Sequence, residues 1–490
     1  MTPVDDYGPE SPAEDATTQL DDVVTGALRG LFGRDSVYMM LWGVQLAAAA
    51  LLTPLITRVL DAPDFGAVAA GTAVMQVVFV IAGLGLYQAL QRKFAETGNG
   101  LEASKLLGVA IGAAICIIAV MDLTGPLWAV HVGFPSYAGP PRVAVLWAGV
   151  AAFTNSGLAL LRSQDRLLAF GTVSLLQSVG ATLTGVLLVV AVSDTGTWFL
   201  IGEAGTQAAA ALLAVLLAKP SLPRRRDWAM VKEACAFALP LVPAALCTFV
   251  LSTSDRLIVQ SHLGQTAVAR YQLAYNLGSL PILLLSVLNQ SWMPRIFAIR
   301  AVRERAAVLA ASRDLLYRTL IPVLIGLAIG APIVLRIWAP PAYAPDELLV
   351  VNAIVLVSAI PYAATQGSTR DLLAQGRTGR IAVAQGVAGI ANVGLNFALI
   401  PHFGLAGSAA ATFLAYSALL LTLRSASRGS SSVPRPPLRL VASLLITTIV
   451  ALAVSAVPAE SVILMRLVLV FVTLVWFLRV IVSGRRALGG

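Results

Sequence analysis

Long apolar segments alternate with short polar connections along most of the chain. From Ser36 onward, apolar runs of about 20 residues recur, each long enough to cross about 30 Å of hydrocarbon at 1.5 Å per residue. The runs do not alternate strictly between apolar and polar residues, so they predict helices rather than barrel strands. We therefore predict roughly 14 transmembrane helices. Their approximate positions are 36–58, 66–89, 104–123, 142–161, 168–192, 198–218, 236–259, 267–290, 315–336, 346–365, 380–400, 405–423, 438–457 and 462–482.

The polar connections divide these helices into blocks. A long basic connection separates helices 1–6 from helices 7–12, and a second polar linker precedes the last two helices. The pattern predicts an all-α polytopic membrane protein with two six-helix lobes and two extra C-terminal helices. The predicted segments are a disordered acidic cytoplasmic tail (1–20), an interfacial amphipathic helix (21–34), the N-terminal lobe (35–218), a basic cytoplasmic linker (219–235), the C-terminal lobe (236–424), a polar linker (425–437) and the added helices with a short basic tail (438–490).

The distribution of basic residues predicts the orientation. If the N-terminus is cytoplasmic, 28 of the 34 Lys and Arg residues fall on cytoplasmic connections or helix ends. Such an excess is typical of the inner side of a membrane protein. We therefore predict that both termini are cytoplasmic. The net charge of +9 is explained by insertion topology and by attraction to anionic inner-leaflet lipids, so a nucleic-acid partner is not expected.

The residues that usually carry catalysis or bind metals are sparse. The three cysteines and three histidines show no paired spacing and no ligand motif. No predicted connection is long enough to hold a soluble catalytic domain. We therefore expect no metal, no cofactor and no enzymatic activity. Amides within the spans, such as Gln76, Gln177, Gln207, Asn276 and Asn396, favour hydrogen bonds between helices over substrate contacts.

A few ionisable residues within the spans are the candidate functional residues. A charge near the bilayer centre costs about 2.5–3.5 kcal/mol on insertion scales, so its presence suggests a role. Asp255 and Arg256 lie near the outer end of helix 7, where they either snorkel to the interface or line a cavity. With Arg58 and Arg270 they form a candidate substrate-binding set for an anionic headgroup. Glu203, and again Asp255, are candidate cation-coupling residues.

Prolines occur in the first helix of each predicted lobe. Helix 1 contains Pro54, and helix 7 contains Pro240 and Pro243. Proline inside a helix removes a hydrogen bond and bends the rod, and interrupted helices at matching positions in two halves indicate a transport site between them. We therefore expect a kinked helix at the start of each lobe.

Three segments resemble one family of transporters. They are RVLDAPDFGAVA after helix 1, STSDRLIVQSHLG followed by VARYQLAYNLGSLP in helices 7–8, and AQGRTGRIAVAQGVAGIANVGLNFALIPHFGLAGSAAATFLAYS in helices 11–12. The chain is similar here to the Wzx-type polysaccharide flippases of the multidrug/oligosaccharidyl-lipid/polysaccharide exporter superfamily. The resemblance covers residues 36–425. Independently of it, Pro401 and Gly404 predict a tight outer turn, and the small residues after Gly404 predict close helix packing.

The resemblance implies a fold and a function. The two lobes would form a V around a central cavity and work by alternating access. The substrate would be a polyprenyl-diphosphate-linked oligosaccharide, flipped from the inner to the outer leaflet of the plasma membrane for cell-surface polysaccharide biosynthesis. Expected partners are this substrate, membrane lipids, a polysaccharide polymerase and glycosyltransferases.

Other functions stay open at this point. A multidrug or cation antiporter of the same superfamily fits the intramembrane acids Glu203 and Asp255. A lipid II flippase fits the predicted helix number, but helices 1, 2 and 8 hold few basic residues. An integral membrane glycan ligase or acyltransferase would need a large outer loop or a buried cluster of His, Arg and acids, and neither is evident.

Overall fold

The computed structural model describes residues 34–286, 299, 302–428, 433–455, 457 and 463–486, and all the regular secondary structure in these residues is helical. The predicted tail (1–20) and most of the predicted amphipathic helix (21–34) lie outside the described residues. The all-α fold class is confirmed. The main helices are α1 (Arg34–Val59), α2 (Ala62–Gly83), α3 (Leu86–Thr97), α4 (Gly100–Leu123), α5 (Pro140–Ser163), α6 (Leu167–Ala191), α7 (Gly196–Ala218), α8 (Trp228–Ala238), α9 (Leu241–Leu263), α10 (Gln265–Gly278), α11 (Val302–Trp338), α12 (Leu349–Ala374), α13 (Thr378–Ser427), α14 (Leu438–Ser455) and α15 (Ile463–Arg486).

The predicted number of spans is not confirmed. Among the described residues, 11 helices are long and apolar enough to cross a membrane. Three predicted spans account for the difference from 14. Helices α1 and α10 do not meet the same criterion within their described residues, and the predicted spans 380–400 and 405–423 form one continuous element, α13.

Helix α13 nevertheless folds back on itself. Its backbone is non-helical at Gly404, with φ 55° and ψ −134°. The Ser408 hydroxyl donates to the Asn396 amide oxygen at 2.7 Å, although 12 residues in a straight helix would rise about 18 Å. A Cβ at Gly407 would lie 2.4 Å from the carbonyl oxygen of Leu399, so the two arms touch at this glycine. This geometry agrees with the turn predicted at Pro401 and Gly404.

The prolines of the second lobe lie at the break between two helices, α8 and α9, and not in the interior of α9. Pro240 precedes the first residue of α9, and Pro243 lies in its first turn, where a missing N–H costs little. They separate α9 from the short helix α8, which lies in and just beyond the predicted basic linker. Pro54, in contrast, lies inside α1. The helical run at the start of the second lobe is therefore interrupted at Leu239 and Pro240, whereas Pro54 of the first lobe lies within a continuous helix.

Helix α8 packs against the N-terminal lobe. Its preceding residue, Asp227, forms an ion pair with Lys105 of α4 at 2.9 Å. At its other end, a Cβ at Gly85 would lie 2.9 Å from the carbonyl oxygen of Ala238. The Arg92 guanidinium of α3 stacks 4.6 Å from the Phe237 ring centroid. The basic linker is thus anchored along the helices that precede it.

The added helix pair packs on the C-terminal lobe over glycines. Gly326 and Gly330 of α11 are four residues apart and both face α15. A Cβ added at Gly326 would lie 2.7 Å from the Thr473 hydroxyl oxygen, and one added at Gly330 would lie 3.5 Å from the Val470 side chain. Small residues at this spacing allow helices to approach closely in a membrane. Arg466 of α15 is 2% exposed and donates to the carbonyl oxygen of Ile329 at 2.9 Å. This contact joins α15 to the same helix, α11.

The two lobes meet through α2 of the first lobe and α9 and α10 of the second. We call the two membrane sides outer and inner by the predicted orientation. On the outer side, Gly66 of α2 lies against the backbone of Gln265 at the start of α10, and a Cβ at Gly66 would lie 1.8 Å from that carbonyl oxygen. Only glycine allows this approach. The outer ends of the lobes are therefore in direct backbone contact.

We predict that Gly66→Ala destabilises this closed arrangement, whereas Gly83→Ala on the same helix does not. The added methyl group at Gly66 overlaps backbone atoms and should cost about 1–3 kcal/mol. A Cβ added at Gly83 would meet no other atom within 4 Å, so alanine there should be neutral or slightly stabilising. Thermal unfolding of the detergent-solubilised variants measures both effects, and equal melting temperatures would contradict the prediction.

Candidate functional site

The candidate site lies where α9 and α10 face α2 across the interface between the lobes. Asp255 and Arg256 occupy the middle of α9, two turns from its outer end at Leu263. Asp255 is 2% exposed and Arg256 is 5% exposed, so neither side chain reaches the interfacial water in this conformation. The structure therefore places the pair inside the protein rather than in the snorkelling arrangement that the sequence left open.

The Asp255 carboxylate and the Arg256 guanidinium form a compact buried ion pair. Arg256 Nη1 lies 2.7 Å from Asp255 Oδ1. The other carboxylate oxygen, Oδ2, accepts a hydrogen bond from the Tyr271 hydroxyl at 2.6 Å. Arg256 Nε donates to Gln272 Oε1 at 3.0 Å, and Arg256 Nη1 also donates to the carbonyl oxygen of Ser252. A buried ion pair is tolerated when its remaining hydrogen-bonding groups are satisfied in this way.

Aromatic rings complete the surroundings of the guanidinium. The Arg256 carbon Cζ lies 4.0 Å from the Tyr275 ring centroid and 5.8 Å from that of Tyr271. A cation over an aromatic face gains electrostatic energy from the ring quadrupole, and more so away from water. Sequence reasoning did not single out Tyr271, Gln272 or Tyr275. The available signal was the spacing of two tyrosines by four residues, which places both rings on one face of α10.

The other two predicted headgroup residues lie elsewhere on the outer side. Arg58 is exposed at the end of α1 and donates to the carbonyl oxygen of Ile337 at 3.2 Å. Arg270 is half-buried and forms an ion pair with Glu347. Among the contacts of the described residues, none joins Arg58 or Arg270 to Arg256. The structure thus unites Asp255 with Arg256 and leaves the other two arginines with separate partners.

Polar contacts between the lobes surround the buried pair. The Thr253 hydroxyl of α9 donates to the amide oxygen of Gln76 on α2 at 3.0 Å. Two turns further along α9, the Gln260 side-chain amide donates to the carbonyl oxygen of Gly133 at 3.2 Å. Thr253 and Gln260 are seven residues apart and therefore share one helix face. The amide of Gln76 forms the helix-to-helix bond that the sequence favoured for such residues.

A third set of contacts closes the outer ends near α1. The Tyr343 hydroxyl donates to the carbonyl oxygen of Leu60 at 2.8 Å, and the Tyr343 ring packs edge-on against Phe65. Burial, and then the negative charges of Asp61 and Asp64, raise the pKa of Tyr343 above its ordinary value. The hydroxyl therefore remains protonated and keeps donating over the physiological pH range.

Glu203 lies in the N-terminal lobe, apart from the buried pair. It is half-buried on α7, and the Thr182 hydroxyl of α6 donates to its carboxylate at 3.5 Å. One turn further along α7, the Gln207 side-chain amide donates to Gln177 at 3.1 Å. Gln177 belongs to a π-helical turn, Leu176–Gly180, and such turns often mark functional positions in helices. The structure does not bring Glu203 and Asp255 together.

The polar groups of the candidate site are hydrogen-bond donors and acceptors and one ion pair. Within the described part of the chain, no group of three or more His, Cys, Asp and Glu residues is arranged to hold a metal ion. The polar side chains at the lobe interface are amides, hydroxyls, tyrosines and one ion pair, and they lie among buried apolar side chains of both lobes. These groups form hydrogen bonds with hydroxyl-rich or anionic ligands.

Comparisons with known proteins identify the fold. The lipid II flippase MurJ in an inward closed conformation is 14% identical, with a TM-score of 0.68 over 89% of this chain and 98% of that structure. An inward-facing multidrug resistance MATE transporter of the MOP superfamily is 13% identical, with a TM-score of 0.56 over 89% of this chain and 96% of that one. A MATE structure in complex with MaL6 is also 13% identical, with a TM-score of 0.53 over 89% and 99% of the two chains. At these identities the likeness concerns the fold.

The sequence comparison identifies the family. No curated protein sequence matches the chain significantly. The model of the family described as polysaccharide biosynthesis protein matches residues 55–339, which is more than half of the chain and includes α2, α9 and α10. The family resemblance recognised in the sequence is thereby confirmed. This multi-pass membrane protein belongs to the polysaccharide biosynthesis protein family and has the fold of the MurJ and MATE transporters.

Proposed function

We propose that the protein flips a polyprenyl-diphosphate-linked oligosaccharide from the inner to the outer leaflet of the plasma membrane. The observation that carries this proposal is the family match over residues 55–339, which covers the first lobe from the end of α1 onward and the lobe-facing helices α9 and α10 of the second. In the proposed role, the protein takes part in polysaccharide synthesis by moving a biosynthetic intermediate across the membrane, and it forms no covalent bond in that intermediate. We therefore propose a transporter, not an enzyme.

The arrangement of the lobes supports an alternating-access cycle. Contacts at Gly66 and Tyr343 close the outer side in this conformation, and the bond from Thr253 to Gln76 joins the lobes deeper in the membrane. Export requires these contacts to separate, so that the substrate headgroup reaches the outer leaflet. The polar contacts are single hydrogen bonds, each worth about 0.5–1.5 kcal/mol net. Apolar side chains also pack across the interface, with Val74 and Val78 of α2 in one buried cluster with Ile258 and Val259 of α9, so opening also exposes apolar surface. The proposal keeps both termini on the cytoplasmic side, as the distribution of Lys and Arg predicts.

A lipid II flippase is a weaker candidate for this chain, although the MurJ structure carries that description. Helix α2 contains no Lys or Arg, and α10 contains only Arg270, whose partner is Glu347. The lobe interface therefore presents amides and hydroxyls more than free positive charge. Such a surface can form hydrogen bonds with the sugar hydroxyls of a lipid-linked glycan. Glycosyltransferases would make this substrate on the inner side, and a polymerase would use it on the outer side.

The proposal predicts loss of surface polysaccharide when the gene is deleted. Lipid-linked oligosaccharide should accumulate on the inner leaflet, and the full-length gene should restore the polymer. The measurement is extraction of both glycan pools, combined with lectin access to the intermediate in right-side-out vesicles. Unchanged polymer and no accumulated intermediate in the deletion strain would rule out the proposed substrate class.

Substrate contact by Arg256 is the second part of the proposal. Truncating Arg256 to alanine leaves a buried Asp255 charge and should destabilise the protein by about 3–5 kcal/mol. The double variant Asp255→Asn with Arg256→Gln removes both charges and should retain most of the stability. We expect both variants to lose export, measured by the surface glycan assay alongside detergent melting curves. Normal export by the stable double variant would remove Arg256 and Asp255 from the substrate site.

Arg58 and Arg270 are proposed to meet the headgroup on the outer side. Arg58 is exposed, and Arg270 is only half-buried beside the exposed Glu347. Their partners are near the outer surface, where a diphosphate would arrive after translocation. Because these exposed contacts contribute little to folding, their variants should affect export without changing melting temperature.

The position of Glu203 favours cation coupling, which also keeps a multidrug or cation antiporter as the second candidate function. A carboxylate within a span usually serves a transport role. We predict that Glu203→Gln reduces transport driven by an imposed proton gradient at least tenfold, because the amide has no titratable proton. Glu233→Gln, at an exposed carboxylate of α8, is the matched control. Equal responses of Glu203→Gln and wild type to proton and sodium gradients would refute coupling through Glu203.

A further inference from the structure

Helix α9 makes two kinds of contact on two of its faces. Thr253 and Gln260 bond to the N-terminal lobe, at Gln76 and Gly133. Asp255 and Arg256, which lie between them in sequence, bond to α10 of their own lobe. A shift or rotation of α9 relative to α10 would therefore move both cross-lobe bonds together.

The buried ion pair fixes α9 against α10 in a defined register. The Asp255 carboxylate accepts a hydrogen bond from the Tyr271 hydroxyl. The Arg256 guanidinium donates a hydrogen bond to Gln272 and stacks on the Tyr275 ring. These contacts span more than one turn of α10. Away from water, each displaced bond would leave a charged group unsatisfied, so sliding of one helix along the other is costly.

Helix α10 is itself held against the N-terminal lobe. Its first residue, Gln265, lies in backbone contact with Gly66 of α2. Through Gln76, the same helix α2 also bonds to α9. The outer closure thus depends on two helices of the second lobe that must present their contacts to α2 at the same time.

We propose that Asp255 and Arg256 are positioning residues for the outer closure: the pair holds α9 and α10 as one unit, so that Thr253, Gln260 and Gln265 engage the N-terminal lobe together. This inference rests on the proposed alternating-access transport. It assigns the pair a role in the closed state without substrate. Substrate contact alone would leave the resting conformation unchanged when the charges are removed.

The test measures outer closure directly, with no substrate. A single cysteine replaces Thr72, which lies one turn outward of Gln76 on α2, in a full-length background without native thiols (Cys116→Ser, Cys235→Ala and Cys247→Ala). A membrane-impermeant maleimide is applied from the outside to right-side-out vesicles. In the closed state, labelling of the cysteine should be slow, because the outer contacts cover it.

Neutralising the pair with Asp255→Asn and Arg256→Gln should raise the labelling rate about three- to tenfold, the shift expected when one or two net hydrogen bonds no longer favour closure. The neutralised pair Asp122→Asn with Arg142→Gln is the matched control. That ion pair is 3.1 Å long and lies within the N-terminal lobe on the outer side, so the labelling rate should not change.

Two further variants separate positioning from general damage to the fold. Thr253→Val with Gln260→Met removes the cross-lobe bonds and keeps the ion pair, and it should raise labelling to a similar extent. Tyr271→Phe removes one hydrogen bond to Asp255 while keeping the ring, and it should give a smaller rise even if the charge-neutral variant does not fold.

Wild-type labelling rates in the folded charge-neutral variant or in Tyr271→Phe would overturn the proposal. A rise with the charge-neutral variant but none with Thr253→Val and Gln260→Met would also overturn it, because the pair would then act by another route. Accessibility is measured without transport, so these outcomes leave glycan flipping standing. Conversely, unchanged surface polysaccharide in the deletion strain would refute flipping without altering the labelling result.

Discussion

The arrangement of the lobe interface depends on the cost of placing charge in a low-dielectric interior. A lone carboxylate or guanidinium in that environment is strongly disfavoured, whereas a pair with all its hydrogen bonds made can be accommodated. Asp255 and Arg256 meet this requirement by using side chains of α10 as partners. The requirement therefore joins two helices. The ion pair thus helps to fix the position of α9 on α10, together with the apolar packing of Ile258 and Val259.

Specific polar contacts between the lobes surround the ion pair of Asp255 and Arg256. Between the lobes, the outer closure uses single hydrogen bonds such as that from Thr253 to Gln76, and a close backbone approach at Gly66. Within each lobe, packing is extensive and apolar, as in the contact of α15 with Gly326 and Gly330. Apolar side chains pack across the interface as well, since Val74 and Val78 of α2 share a buried cluster with Ile258 and Val259 of α9. Movement of the lobes as bodies therefore has to separate apolar packing as well as the polar contacts.

The family and the geometry support the same function at different levels. The family match indicates polysaccharide biosynthesis, and the fold is that of the MurJ and MATE transporters. The polar side chains at the interface narrow the class of ligand that could bind there, because amides and hydroxyls outnumber unpaired cationic groups. The proposed hydroxyl-rich headgroup on a lipid tail is compatible with these features. Glu203 is half-buried in the first lobe, apart from that interface, and its coupling role is part of the proposal.

The sequence by itself determined the helical membrane class, most span positions, the turn at Gly404 and the family, because these follow from local hydropathy, turn chemistry and motif order. It also identified Asp255 and Arg256 as unusual, since a charge in an apolar run is visible without a structure. Only the tertiary structure decided their partners. Sequence gives the depth of Arg58 and Arg270 along their helices but not the direction in which each side chain points, so their expected convergence with Arg256 is not seen. For the same reason, the roles of Tyr271 and Tyr275 required the packing of α9 on α10.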